Sequence, residues 1–369
     1  MTKQAVLIDE LELGSYVIAV ARQTGDVVIK HAGWVRSEQL IATLKQKGVL
    51  EVFIDPTKQL PPPKALPAAT PAESDPHQTK PRADFAQECS RTELTLQSTR
   101  QQTALIFEKM AQADSVDLTQ PTQNCGKLLD SSNRNPQALL YLQQVLQEDD
   151  ELLRHAVRCA CLMAAFCQSL QLPEAEARDY TLAALLHDAG KAQLKQLFPQ
   201  EQPTDLAALP YSLALLEQSD CPARSLDAVA GHLAPLAEQS APARLLAIVN
   251  RYANLQELAE LGKIDFASLS TQLLAAAGKT LEPQQTQIFL SGMGVYPPGS
   301  AVRLKSGKLA LVLENHPKYA DKPKVKLFYH SLHRHHLPAK VLDLAKLPEE
   351  HIVAAADLSQ FALDLRQYF

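Results

Sequence analysis

Three shortages bound what this sequence can be. Basic charge is not in excess: 36 Lys and Arg stand against 41 Asp and Glu, a formal net charge of −5. No overall field attracts a polyanion, which excludes a general nucleic-acid binder. Long apolar runs are missing as well. None approaches the roughly 20 residues that a membrane-spanning helix needs, and no basic-then-apolar stretch resembling a signal peptide opens the chain, so a cytoplasmic protein without membrane insertion is expected. Cysteine is sparse, six in 369 residues. Cys89, Cys125, Cys159, Cys161, Cys167 and Cys221 show no paired metal-ligand spacing and read as reduced thiols in the core or at the surface. The single tryptophan, Trp34, is assigned to anchoring a small N-terminal domain.

What is present suffices for a sizeable core: 46% of the residues are hydrophobic, and the length accommodates two or three domains. Residues 1–55 read as a small α+β domain. "AVLIDELELGSYVIAV", "DVVIK" and "VLEVFID" supply strands, and "SEQLIATLKQKG" a helix capped after Ser37. Residues 56–84 turn to Pro, Ala, Thr and Lys and read as an extended linker. Residues 85–290 are helical almost throughout. Asn135-Pro136 supplies an N-cap and an N1 proline. "ELLRHAVRCACLMAAFCQSLQL" is apolar on too many faces for a surface helix and is placed at the centre. Gly190 is read as closing the helix "EAEARDYTLAALLHDAG". In residues 291–369, "SAVRLKSGKLALVLE" and "KVKLFYH" alternate around a turn at Ser306-Gly307 and predict a β appendage followed by a C-terminal tail.

The chemistry concentrates in "AALLHDAGKAQL". His187 offers a neutral nitrogen to a transition metal, Asp188 an anionic oxygen able to bridge two ions, and Lys191 a point charge for a phosphate oxygen. Neighbours on a helix diverge by about 100°. His187 and Asp188 therefore meet one ion only at a helix end or with a second helix opposite, and His155 is the best partner from such a helix. Alone, the pair also fits an ordinary polar helix end. The four histidines of "YHSLHRHHLP" (His330, His333, His335, His336) read as a solvated basic turn, with fortuitous metal binding as the alternative. The basic bias between Arg303 and Lys346 reads as a solvated face or a docking patch for an acidic partner.

The order His155, apolar helix, "LLHDAGK" resembles the opening of the HD superfamily of metal-dependent phosphohydrolases. End to end the chain resembles the HD-GYP branch, the cyclic di-GMP phosphodiesterases. "IDELELGSYV" and "VFID" are similar to the small domain that commonly precedes that module, and "GMGVYPPGSAVRLKSGKLALVLENHPKYADKPKVKLF" to the β segment that commonly follows it. The resemblance implies a mainly α fold, an HD-domain helical bundle with metal gathered inside it.

The departures fall on ligand positions. Leu209-Pro210 stands where the family has His-Pro. His232 is kept, but Leu233 and Ala234 follow it where the family continues its His-His-Glu, and no Gly-Tyr-Pro loop follows; Tyr296-Pro297 belongs to the trailing β segment. Asn250 stands where the family has a distal Asp. The surviving set implied is His155, His187, Asp188 and His232, with Lys191 at the phosphate and Asp188 and Lys191 as the catalytic remnant. Such a set holds one divalent transition metal, iron, manganese or zinc, weakly or not at all. The resulting expectation is a degenerate protein of cyclic di-GMP signalling that senses the nucleotide or binds a signalling protein. An active metal-dependent phosphodiesterase and a purely structural adaptor are the rivals.

Overall fold

A computed structural model of the chain describes residues 3–11, 15–24, 33–35, 41, 44–59, 83–146, 149–316, 318–319, 321–356, 358–361 and 363. The chain divides into two compact units, residues 1–78 and 79–369. In the first, strands β1 (Gln4–Leu7), β2 (Ser15–Gln23), β3 (Gly33–Trp34) and β4 (Val49–Gln59) form an antiparallel sheet in the order β1-β4-β2-β3. Ile8, Leu11, Val17, Val35, Val49 and Val52 close its core, with Ile41 and Leu44 packed against them.

β4 runs four residues past the expected strand and takes in Pro56. The proline lies where the register with β2 slips between Ser15↔Gln59 and Val17↔Ile54. Such an irregularity tolerates a residue that cannot donate to the ladder. The "DVVIK" strand, the helix start after Ser37, the Trp34 side chain and residues 60–82 of the expected linker lie outside the described residues.

The second unit carries eleven α-helices among its described residues, and the fold is mainly α. Asp84 caps α1 (Phe85–Ala111) by accepting from the Gln87 amide. After α2 (Thr119–Arg134), Asn135 caps α3 (Pro136–Val145) through the amides of Gln137 and Ala138 with Pro136 in the first turn, as its sequence predicts. Asp150 opens α4 (Glu151–Ser169), the central helix: from Leu152 to Cys167 every residue but Arg154 is buried. The apolar coverage on all faces is explained by neighbours on all sides, since α2, α3, α5 (Glu174–Leu186) and α9 (Ala241–Glu260) pack around it. All six cysteines are unpaired and buried, small hydrophobes in effect.

Gly190 does not end a helix. α5 stops at Leu186, and Gly190 lies in the first turn of α6 (Ala189–Leu197), where a Cβ would sit 2.3 Å from the Ala208 carbonyl oxygen and 2.5 Å from the Ser212 nitrogen. The glycine lets α6 and α7 (Asp205–Gln218) approach backbone to backbone, and its amide donates to Ser212 Oγ at 2.8 Å. α8 (Ala223–Gly231) and α9 follow, then α10 (Leu269–Ala276) and α11 (Pro283–Met293).

The chain ends in an antiparallel sheet of β5 (Ala301–Leu304), β6 (Lys308–Glu314), β7 (Lys324–His330), β8 (His335–Asp343) and β9 (Ile352–Ala355), in the order β8-β7-β6-β5-β9. Alternation along β6 serves two faces. Leu309, Leu311 and Leu313 join the core of the bundle, while Ala310 and Val312 join Val302, Leu304, Val325 and Leu327 on the other side. No helix of the described residues is long and apolar enough to cross a membrane.

Candidate metal centre

The break between α5 and α6 falls on His187 and Asp188, which cap the two helices. Two helix ends thus meet at the pair, and α4 and α9 face it. His155 of α4, His187, Asp188, His232 at the end of α8 and Asn250 of α9 are each no more than 5% exposed. The His155 and His187 rings lie 5.4 Å apart between centroids, and those of His187 and His232 5.5 Å. Asp188 Oδ2 is 3.7 Å from His155 Nε2 and 3.6 Å from His187 Nε2.

Each ring is held from behind. His187 Nδ1 donates to the Ala184 carbonyl at 2.9 Å and His232 Nδ1 to the Val229 carbonyl at 2.7 Å, both the turn before in their own helices. That fixes the tautomer, leaving a lone pair on Nε2. Both Nε2 atoms are buried with no hydrogen-bond partner. An orphaned buried acceptor is costly in a native protein and marks a missing partner. Two such atoms beside a buried carboxylate fit a cation. Burial pushes His187 down to about 4 and His232 in the same direction, so both rings are neutral and ready to ligate at neutral pH.

His155 is held differently. Nδ1 lies 2.8 Å from Glu257 Oε1, and Nε2 lies 3.1 Å from Asn250 Oδ1 and 3.4 Å from Cys159 Sγ. Burial opposes its charge, but Cys159, Glu257 and Asp188 outweigh that and hold it well above the ordinary histidine range. Both ring nitrogens face oxygen atoms, an arrangement that favours the protonated ring. Metal binding has to replace the Nε2 proton. Glu257 is braced in turn by the fully buried Arg158, whose Nη2 donates to Glu260 at 2.7 Å.

Lys191 is not free for a phosphate. Its Nζ lies 2.7 Å from Asp188 Oδ2 and 2.6 Å from Asp205 Oδ1. Burial works against the ammonium, but the two carboxylates raise its pKa; burial likewise works against Asp188, whose pKa the surrounding histidines and Lys191 hold far below the usual range. The break between the helices comes at Asp188, three residues before Lys191, and the intervening turn folds the lysine side chain back onto that carboxylate.

Of the residues singled out in the sequence, His155, His187, Asp188, His232, Asn250 and Lys191 come together here. Leu209 packs against the hydrophobic core, and Leu233 and Ala234 lie in the short connection from His232 to α9. Three participants escaped the sequence reading. Cys159 stands one turn after His155 and Glu257 two turns after Asn250, spacings that place each pair on one helix face. Asp205 carried no signal, because Pro210 hides the start of α7, which lies five residues earlier, just after the Thr204 cap.

Residues 152–255 match the HD domain family, and residues 3–121 match a domain of unknown function (DUF3391). The cyclic di-GMP phosphodiesterase PA4108 of Pseudomonas aeruginosa is 26% identical over 374 positions, spanning 92% of this chain and 88% of that protein. Among solved structures, Bd1817, an HDG"Y"P protein from Bdellovibrio bacteriovorus, is 16% identical and aligns with a TM-score of 0.44 over 78% of this chain and 98% of its own.

Proposed function

We propose, for a chain that belongs to the HD-GYP branch of the HD-domain proteins, a role in cyclic di-GMP signalling as a binding module that has lost hydrolysis. One observation supports the reading: the three buried histidines and Asp188 that converge here make four donors, a number suited to a single ion. His155, His187 and His232 would hold it with Asp188, while Asn250, Leu209, Leu233 and Ala234 stand where further ligands would be needed. A divalent transition metal, iron, manganese or zinc, would supply Lewis-acid polarisation of a phosphoryl oxygen if bound in an open site.

The chain's own residues restrain that chemistry. Lys191 pairs with Asp188 and Asp205 at once, so a phosphate reaching this ammonium must compete with two carboxylates. The donors are at most 5% exposed, a depth suited to an ion rather than to a dinucleotide. Both features favour recognition of a signalling protein over capture of the nucleotide. The rival, an active phosphodiesterase, rests on the activity in the relative's name.

Elemental analysis of the purified chain, with a cyclic di-GMP product assay in added iron, manganese or zinc, tests the reading. At most one ion per chain and no linear dinucleotide are expected. Two or more tightly held ions with steady turnover that Asp188→Ala abolishes would establish the enzyme instead.

A further inference from the structure

The loss of ligands at this centre is accompanied by a gain. We infer that Cys159 is a metal ligand, so that His155, Cys159, His187 and Asp188 form a closed tetrahedral site that selects a thiophilic ion, zinc before manganese or magnesium, and holds it for structure. The inference rests on the one-ion reading above and puts Cys159 in the place given there to His232, which is not among the donors that fall within 4.8 Å of one another.

The distances are those of a coordination shell. Zinc bonds of about 2.3 Å to sulfur and 2.0–2.1 Å to nitrogen, at tetrahedral angles, put the two ligand atoms about 3.6 Å apart. Cys159 Sγ lies 3.4 Å from His155 Nε2. The corresponding nitrogen–oxygen edge is about 3.4 Å, and Asp188 Oδ2 lies 3.7 Å from His155 Nε2 and 3.6 Å from His187 Nε2. The donor atoms of His155, Cys159 and His187 all fall within 4.8 Å of one another. A buried thiol is common and by itself signifies nothing. Here it faces a site into which the fully buried His187 aims an unpartnered Nε2.

Local structure explains the convergence. Cys159 follows His155 by four residues on α4, so both side chains leave the same face one turn apart. Two residues further, Cys161 projects about 200° round the helix, away from the centre. The chemical consequence follows from ligand softness. An amide at position 250 and an alkyl group at position 209 contribute no anionic donor, whereas a thiolate adds charge together with a preference for zinc or cobalt over hard cations. As the sulfur–metal bond forms, the thiol proton leaves to solvent. Four protein donors fill a tetrahedral shell and leave no position for a water nucleophile, the hallmark of a structural site.

The test is a cobalt(II) titration of the full chain after chelation, followed by zinc competition. The wild type should show an intense near-ultraviolet sulfur-to-cobalt charge-transfer band that zinc abolishes and manganese does not. Cys159→Ala should lose the band and bind at least about tenfold more weakly, while Cys161→Ala, an equally buried substitution on the same helix, keeps it. Cobalt bound with visible d–d absorption but no near-ultraviolet band overturns thiolate ligation and leaves the one-ion reading standing. Unchanged affinity in Cys159→Ala has the same meaning. No cobalt binding by the wild type overturns both. Should Cys159→Ala fail to fold, the wild-type band alone decides.

Discussion

Deep in the helical bundle, His187 and His232 are tied through Nδ1 to carbonyls of their own helices and His155 to Glu257, so that three Nε2 atoms are aimed before any ligand arrives. On the turn between β7 and β8, His330 and His335 face each other across the strands and stack with centroids 5.7 Å apart, and His333 lies 4.5 Å from His330. His333 and His335 are exposed there. Both groups are rich in imidazole. Pre-paid orientation separates them, because an anchored ring loses no further rotamer freedom on binding, whereas an exposed one must give up most of its own.

The sharpest way to break this contrast is to remove one ring from each set. His187→Ala should lower affinity for zinc or cobalt by about 100-fold or more, and the double change His333→Ala with His335→Ala should leave tight-site stoichiometry unaltered in the same titration. Metal content that followed the turn instead of the bundle would reverse the assignment.

A second comparison sets two glycines against each other. In Gly190→Ala the new methyl meets backbone atoms of α7 that cannot step aside, so unfolding in urea should show a loss of about 3 kcal/mol. Gly307 at the β5–β6 turn has φ +79°, and its added Cβ would meet Leu332, a side chain 75% exposed and free to swing away. Gly307→Ala should then cost only the left-handed strain, about 1–2 kcal/mol.

The same distinction governs charge, with a smaller effect. Glu88 is fully buried and receives Arg134 through Nε at 2.8 Å and Nη2 at 2.9 Å, while Thr92 donates at 3.0 Å. Burial pushes its carboxyl up, but Arg134, Ser131 and Thr92 prevail and hold it below the usual 4.5. A depressed folded pKa stabilises fully above the unfolded value and is lost as pH falls through the folded one. Glu88→Gln should cost about 2 kcal/mol at pH 7, and its denaturation midpoint should converge on that of the wild type in acid, below pH 4.5. The exposed Glu174–Arg178 pair on α5 should respond to Glu174→Gln by less than about 0.5 kcal/mol at any pH.

Much of the bundle was legible because its signals are local. Asn135-Pro136 cap their helix as written, and the all-round apolar surface of α4 correctly marks the centre. The turn at Gly307 and the alternation of β6 were equally readable. Failures arose where long-range packing overrode a local rule. Gly190 resembled a terminator until α7 was seen against it, and Pro56 resembled a linker until its register shift accommodated it. At the centre, histidines and aspartate stand out by residue type. Cys159 and Glu257 do not, since a thiol in an apolar run and a carboxylate on a long helix acquire meaning only from what lies across the bundle.

Lys191 has one more consequence. By resting between Asp188 and Asp205, it acts as a counter-ion encoded in the polypeptide, present at a fixed stoichiometry from the moment of synthesis. The buried carboxylate thus enters the folding bundle with a positive partner already in the chain, and an ion arriving later adds its binding energy to a charge that is already paired.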